Sequence, residues 1–316
     1  MRIVPASAPG PAPLGPGAPI PASSREGSMT TQRLSAYLAP RRRLRLAGLL
    51  TAPVLWLGLV YIVALAALLV TAFWTVNELT GQVQIEWTTE NVVEVFTEAL
   101  YRTVTLRTLG IALLVTLIDI AVAVPVAFFM AKVAGTRLRH LLVVAVLAPL
   151  WASYLVKVYA WRALLSSDGL IEWAASPFGG STPGYGIVGV VLTLSYLWLP
   201  YVIMPIYAGF DRVPDRLLEA SADLGAKGWR TLVSVVLPMI WPAIIAGSIF
   251  AFSLSLGDYI TTKIVGGATQ MIGTLVYTNV GAANNLPLAA AISLIPIGII
   301  LIYLAAVRRT GALRSL

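Results

Sequence analysis

Residues 219–238 begin with Glu219-Ala220-Ser221-Ala222-Asp223-Leu224-Gly225 and end, after nine further residues, with Val235-Val236-Leu237-Pro238. The stretch separates two long apolar runs and is too patterned for a simple connector. Pro214 suits the first turn of a helix, Asp215 favours its N-terminus, and Gly225 suits the left-handed position that ends it. The pattern predicts a short helix, a sharp turn and a second helix over residues 229–236. Pro238 is expected to stop that second helix, because its ring and missing N–H prevent helical continuation.

Apolar residues dominate the rest of the chain: they make up 58% of its 316 residues, and charged residues only 11%. Soluble domains carry about 25% charged residues, so the composition excludes a soluble protein. A helix needs roughly 20 apolar residues to cross a bilayer. Six runs meet that length, at residues 47–73, 104–131, 141–165, 186–209, 241–260 and 286–307. The predicted fold class is all-α, a polytopic transmembrane helical bundle of six helices.

The orientation of the bundle follows from its basic residues, which are retained on the cytoplasmic side. Seven precede the first run, three lie between the second and third, four between the fourth and fifth, and three follow the last. The connection between the first and second runs is acidic, and Asn91 within it is expected to cap a short surface helix. Both termini are therefore predicted to be cytoplasmic, as is the segment around Gly225.

Composition also divides the chain into three parts. Residues 1–45 form a Pro- and Gly-rich, basic cytoplasmic tail that is expected to be disordered. Residues 46–309 form the transmembrane domain, which includes the cytoplasmic loop 211–240, and residues 310–316 form a short cytoplasmic tail. The connections 166–185 and 262–285 are Gly-rich and weakly apolar, which leaves open whether they are loops or short helices.

The chain has few of the groups that enzymes and metal sites use. Cysteine is absent and His140 is the single histidine, so thiolate metal sites and Cys/His nucleophile pairs cannot be assembled. There is no G-x-x-x-x-G-K-[ST] loop to hold nucleotide phosphates. The basic residues lie at the ends of apolar runs rather than in a stripe, which argues against nucleic acid as a partner. We therefore expect no catalytic residue, metal or cofactor on this chain; a membrane-embedded enzyme is the alternative class.

The spacing within residues 219–238 resembles the signature of the permeases of binding-protein-dependent ABC importers, which reads E-A-A, three residues, G, nine residues, I, one residue, L-P. Five of its seven fixed positions match, while Ser221 and Val235 replace an alanine and an isoleucine. The resemblance implies a type I ABC importer permease in the bacterial inner membrane. It also implies that the loop couples to an ATPase. The residues expected to do so are Glu219, Ala220, Ser221, Asp223, Leu224, Gly225, Leu237 and Pro238.

Polar and aromatic side chains within the apolar runs are candidates for a substrate pathway, because polar groups at membrane depth need partners or water. Trp151, Tyr154 and Trp161 are predicted to share one helix face at steps of three and four residues. Ordinary packing is the alternative for this aromatic stripe, and a structural hydrogen bond is the alternative for Asp119. The complete set of pathway candidates is Asp258, Tyr259, Asp119, Trp151, Tyr154 and Trp161.

Residues 147–161 and 255–259 are similar to the spermidine/putrescine branch of these permeases. That resemblance implies a polyamine or a similar organic cation as substrate, for which carboxylates and aromatic faces are suitable partners. Other branches carry opines, iron or amino-acid-like solutes, and these substrates stay open. A self-sufficient secondary carrier is the alternative within transport.

The resemblance also implies the partners of the chain. Two copies of an ATPase subunit are expected to carry ATP and Mg, which this chain does not bind. A second permease, expected to be a different chain, an extracytoplasmic solute-binding protein and membrane lipid complete the set.

Overall fold

The computed structural model describes residues 42–77 and 80–309. The predicted tail 310–316 and most of the predicted tail 1–45 lie outside these residues. The described residues form one hairpin and thirteen α-helices. In chain order these are α1 (Arg42–Thr71), β1 (Thr75–Val76), β2 (Val83–Gln84), α2 (Glu90–Thr97), α3 (Ala99–Phe128), α4 (Thr136–Leu147), α5 (Tyr154–Leu164), α6 (Leu170–Ala175), α7 (Ile187–Asp211), α8 (Asp215–Asp223), α9 (Gly228–Thr231), α10 (Leu237–Leu256), α11 (Ile260–Val265), α12 (Ile272–Gly281) and α13 (Leu286–Arg309).

Five helical stretches are long and apolar enough to cross a membrane, and they correspond to five of the six predicted spans. They are Pro53–Thr71, Ala99–Val133, Ile187–Asp211, Gly228–Leu256 and Leu286–Arg308.

The third predicted span is not the continuous helix expected over residues 141–165. It consists of α4 with a 3₁₀ turn (Ala148–Trp151) and then α5, and the two parts are bent by 96°. The bend arises because Pro149 enters the 3₁₀ turn, and Ala152 behind it takes an extended conformation with ψ 142°. Counted as one broken span, the pair gives six crossings in all.

A second correction concerns Pro238, which does not stop a helix. The preceding residues Leu232–Val236 form a π turn that runs directly into α10, so Gly228–Leu256 is one continuous helical stretch. Pro238 lies in the first turn of α10. A proline is tolerated in a first turn, because the N–H that it lacks has no intrahelical partner there.

The core of the bundle lies where α3, α7 and α10 pack together. Its buried side chains include Val202, Ile206 and Phe210 of α7 and Ile240 of α10. The backbones of α7 and α10 approach closely, since a Cβ placed on Gly209 would lie 2.6 Å from the Cβ of Ala243. Close approach through small residues is a common way for membrane helices to associate, because dispersion contacts then replace the hydrophobic effect.

The bundle end remote from α8 is more ordered than the sequence could establish. The connection 166–185 contains α6, and residues 260–285 contain α11 and α12. Asn91 does not cap α2 as predicted. Its Nδ2 instead donates to the carbonyl oxygens of Ala72 at 3.0 Å and Trp74 at 2.8 Å, while Thr89 occupies the N-cap position. The amide thereby fixes α2 to the backbone that precedes the hairpin.

Candidate functional site

The segment 211–238 forms the predicted helix and turn at one end of α7, and the helix that follows the turn continues through Pro238 into α10. Helix α8 ends at Asp223 with Leu224 as its C-cap, and Gly225 follows with a φ of +75°, which is left-handed as expected. The Gly225 N–H donates to the carbonyl of Ala222 at 2.8 Å, and the Ala226 N–H donates to that of Ser221 at 3.1 Å. These two bonds define a Schellman motif, which satisfies the last carbonyls of the helix and fixes the direction of the turn.

The outward surface of this segment carries most of the residues predicted to couple to an ATPase. Glu219, Ala220, Asp223, Gly225 and Pro238 are exposed, whereas Ser221 and Leu237 are half-buried. Two large apolar side chains also point away from the core: Leu224 is 88% exposed and Trp229 is 73% exposed. Exposed apolar groups on either side of a rigid turn are suited to a protein partner.

The residues of the segment that face inward hold it in place. Leu218 packs against the main core cluster, and the Ser221 hydroxyl lies 2.8 Å from the Thr231 hydroxyl, which ties α8 to α9. The exposed apolar pair and the core contacts are therefore on different sides of the segment.

At the opposite end of the bundle, Asp258 and Tyr154 come together although they are 104 residues apart. The Asp258 side chain is held by hydrogen-bond donors. Its Oδ1 accepts from the Thr261 N–H at 2.9 Å, and its Oδ2 accepts from the Thr261 hydroxyl at 3.2 Å and from the Tyr154 hydroxyl. Asp258 is only 8% exposed. Because the Thr261 N–H is in the first turn of α11, the carboxylate also acts as a cap for that helix.

A row of aromatic rings leads away from this carboxylate along α7 to α10. Tyr154 stacks on Trp198 with ring centroids 5.9 Å apart, Trp198 contacts Tyr201 at 6.0 Å, and Tyr201 stacks on Phe250 at 6.3 Å. Tyr201 and Phe250 are exposed. The sequence reasoning missed the last three rings. The three-residue spacing of Trp198 and Tyr201 on one helix face was a signal for two of them, and none pointed to Phe250 on α10.

A second aromatic pair lies close to Asp258 in sequence. Tyr259 stacks on Tyr277 with centroids 5.0 Å apart, and the Lys263 ammonium lies 3.8 Å from the centre of the Tyr277 ring. Both tyrosines line a cavity of about 350 Å³ between the end of α10, α12 and α13. The contact shows that this ring face accepts an alkylammonium group through a cation–π interaction.

The other pathway candidates are placed apart from these groups. Trp151 is 85% exposed, and the bend before α5 removes it from the predicted stripe, which is wrong at this position. Trp161 packs beside Tyr196 at 5.6 Å. Asp119 is fully buried, and neither of its carboxyl oxygens has a hydrogen-bond partner among the described residues. Ser195 is its polar neighbour, but the hydroxyl of Ser195 lacks the geometry of a hydrogen bond.

A bundle of apolar helices of this length, with an exposed helical turn at one end, defines a multi-pass helical membrane protein. The chain belongs to the family described as binding-protein-dependent transport system inner membrane component, whose model matches residues 112–309. It is therefore the permease of an ABC importer in the inner membrane, a transport subunit rather than an enzyme, with ATP hydrolysis on a partner chain.

Relatives over most of the chain agree with this assignment. The inner membrane ABC transporter permease protein YdcU of Escherichia coli is 40% identical over 299 residues, which cover 90% of this chain and 95% of that protein. The spermidine/putrescine transport system permease protein PotB of Haemophilus influenzae is 29% identical over 212 residues, which cover 66% of this chain and 73% of that protein.

Solved structures confirm the type I importer permease fold. A bacterial ABC transporter involved in the import of the acidic polysaccharide alginate matches with a TM-score of 0.65 at 17% identity, over 88% of this chain and 99% of that one. A bacterial alginate ABC transporter in complex with its alginate pentasaccharide-bound periplasmic protein matches with a TM-score of 0.68 at 16% identity, over 88% and 97%. At these identities the likeness concerns the fold alone.

Proposed function

We propose that this permease imports a polyamine of the spermidine/putrescine kind and that its segment 211–238 receives the ATPase. The observation that carries the substrate assignment is the environment of Asp258. Its partners are neutral donors, and no Lys or Arg of the described residues lies within salt-bridge distance of it. A largely buried carboxylate without a cationic partner attracts a cation, because its charge is not compensated by the protein.

The row of rings that begins at Tyr154 supports the same substrate class. An alkylammonium group can move over aromatic faces without a full shell of water, since each face offers a cation–π contact of about 0.5–2 kcal/mol. Tyr201 and Phe250, the exposed members of the row, would line the path away from Asp258. Tyr259 belongs to the separate cavity beside it, where Lys263 already illustrates the chemistry of an amine on a tyrosine.

The relatives add independent support. Several proteins named as spermidine/putrescine permeases, among them PotB of Haemophilus influenzae and of Escherichia coli, are 28–29% identical to this chain over two thirds of its length or more. YdcU, at 40% identity, bears a name that specifies no solute. The polyamine assignment therefore depends on the site as much as on the names.

The proposed assembly contains two ATPase subunits, which hold ATP and Mg, a second and different permease, and an extracytoplasmic solute-binding protein. The exposed Leu224 and Trp229 are the proposed anchors for the ATPase. Both termini and this segment would face the cytoplasm, in accordance with the distribution of Lys and Arg.

The proposal is tested by measuring uptake of labelled putrescine and spermidine into membrane vesicles that contain the chain and its partner subunits. Asp258→Asn removes the charge but keeps an oxygen for the Thr261 N–H, so the cap of α11 is retained. We expect uptake to fall about tenfold, the scale of one interaction with a charged group. Glu90→Gln is the matched control, because it removes an exposed carboxylate on α2.

Two outcomes would contradict the proposal at different levels. Unchanged uptake by Asp258→Asn would remove that residue from the pathway. Absence of ATP-dependent uptake of either polyamine by the wild-type transporter would overturn the substrate class, while leaving the assignment to the permease family intact.

A further inference from the structure

Lys132 occupies a position that the permease signature does not include. It lies in the π turn Phe129–Val133 at the end of α3, and its side chain is only 10% exposed. Its ammonium donates to the carbonyl oxygen of Val213 at 2.6 Å and to Oδ1 of Asp215 at 2.7 Å. These partners are 81 and 83 residues further along the chain. Val213 lies in the link between α7 and α8, and Asp215 is the first residue of α8.

A lysine near the end of a membrane span ordinarily extends its ammonium into water. Here the ammonium is directed inward, and Val213, whose carbonyl it binds, is itself only 3% exposed. Withdrawal of an ammonium from water is unfavourable unless its protons are bound. The two short bonds meet that requirement, and Lys132 in turn lowers the pKa of Asp215, which favours the ionised carboxylate.

The π turn is what places Lys132 at this link. Its wider ring is visible in the bond from the Ala134 N–H to the Phe129 carbonyl at 2.8 Å, which spans five residues instead of four. One extra residue in a helical turn redirects the side chains that follow, and such turns are frequent at functional positions.

A second basic residue, Arg139 of α4, contacts the last residue of α7. The Arg139 guanidinium donates to the Ala131 carbonyl at 2.7 Å and lies 3.7 Å from the carboxylate of Asp211. Lys132 and Arg139 therefore contact the chain on both sides of the three-residue link 212–214, at Asp215 and at Asp211. Beyond that link, α8 is attached through Leu218 and through the Ser221–Thr231 contact.

From this arrangement we infer that Lys132 is a positioning residue for energy coupling, which fixes the start of α8 to the end of α3. A displacement of α8 by its partner is then passed to a helix at the centre of the bundle instead of being absorbed in the link. Transmission of this kind requires a stiff contact between two elements. The inference rests on the proposed role of α8 as the ATPase contact, but the fixation itself can be measured separately.

The fixation is tested with a spin label at Ala222→Cys, an exposed site on α8 in a chain without native cysteine. In the permease pair in lipid nanodiscs, without the ATPase, Lys132→Met is expected to increase the mobile fraction of the label, and Lys132→Arg to restore the wild-type mobility. Arg137→Met is the matched control: it removes an exposed charge at the start of α4 and should leave the mobility of the label unchanged. Equal mobility in Lys132→Met and wild type would overturn the inference.

Coupling is tested by the amount of solute imported per ATP hydrolysed, with labelled putrescine as the probe. We expect this ratio to fall about tenfold in Lys132→Met, the scale of a charge-assisted hydrogen bond, and to recover in Lys132→Arg. A mobile label with an unchanged ratio would overturn the role in transmission. If Lys132→Met does not accumulate, Asp215→Ala removes the exposed partner alone and should still raise the label mobility; unchanged mobility there would also overturn the inference.

Failure of the proposed function gives a different result. A cysteine at Leu224 that forms no cross-link to the ATPase subunit in the wild-type background would contradict the docking role of α8, whatever the mobility of the label at position 222.

Discussion

Leu224 offers the sharpest test of how the ATPase is held. Complete burial of a leucine contributes about 1.5–3 kcal/mol, and each methylene about 0.8 kcal/mol. Leu224 is 88% exposed in the isolated chain, so almost all of its surface is available to a partner. Leu224→Ala removes three carbon atoms and should weaken ATPase binding by about 2 kcal/mol, roughly 30-fold in Kd.

The assay is titration of the purified ATPase subunit onto the permease pair in lipid nanodiscs. Phe178→Ala is the matched control. Phe178 is 91% exposed, as Leu224 nearly is, but the two residues lie beyond opposite ends of α7. Helix α7 has 25 residues. A helix of that length separates its ends by about 37 Å. A Kd for Leu224→Ala within about twofold of wild type, or an equal loss in the control, would refute the claim that Leu224 is an anchor.

Gly209→Ala should destabilise the complex by about 1–3 kcal/mol and so lower its thermal midpoint, because the new Cβ would lie 2.6 Å from the Cβ of Ala243. Ala243→Gly in the same chain should restore the midpoint. Gly298→Ala is the control and should not change the midpoint, because a Cβ there meets nothing within 4 Å. The reasoning fails if the single variant is as stable as wild type. Because Lys132 lowers the pKa of Asp215, their ion pair contributes stability above the ordinary carboxyl pKa of about 3.9 and loses it as the pH falls through the lower folded value. The spin label at position 222 should therefore be equally immobile at pH 6 and pH 8, and a change between these values would contradict the assigned ion pair.

Sequence patterns predicted the features that depend on interactions within one helix or on the conformation of one residue. The apolar runs predicted four spans to within about six residues, because backbone groups in lipid must be satisfied inside one helix. The fifth, predicted over residues 241–260, begins thirteen residues earlier, at Gly228. Gly225 predicted the left-handed end of α8, since few other residues adopt that conformation without strain. Local rules failed at Pro149 and Pro238. Pro149 lies in an apolar run predicted as one helix and Pro238 in the loop before a run, yet the chain bends by 96° near the first and continues through the second. Neither outcome follows from the proline alone, because Pro200, Pro205 and Pro242 also lie inside continuous helices.

The sequence by itself determined that this chain is a helical membrane protein and, through the spacing from Glu219 to Pro238, that it is an importer permease. Its tertiary structure decided which polar groups meet. The Asp258–Tyr154 contact and the Lys132–Asp215 contact join residues 104 and 83 positions apart. Side chains so distant in sequence are brought together by helix packing, and their hydrogen bonds depend on a bend, a turn register and a cap that arise only when the helices are assembled.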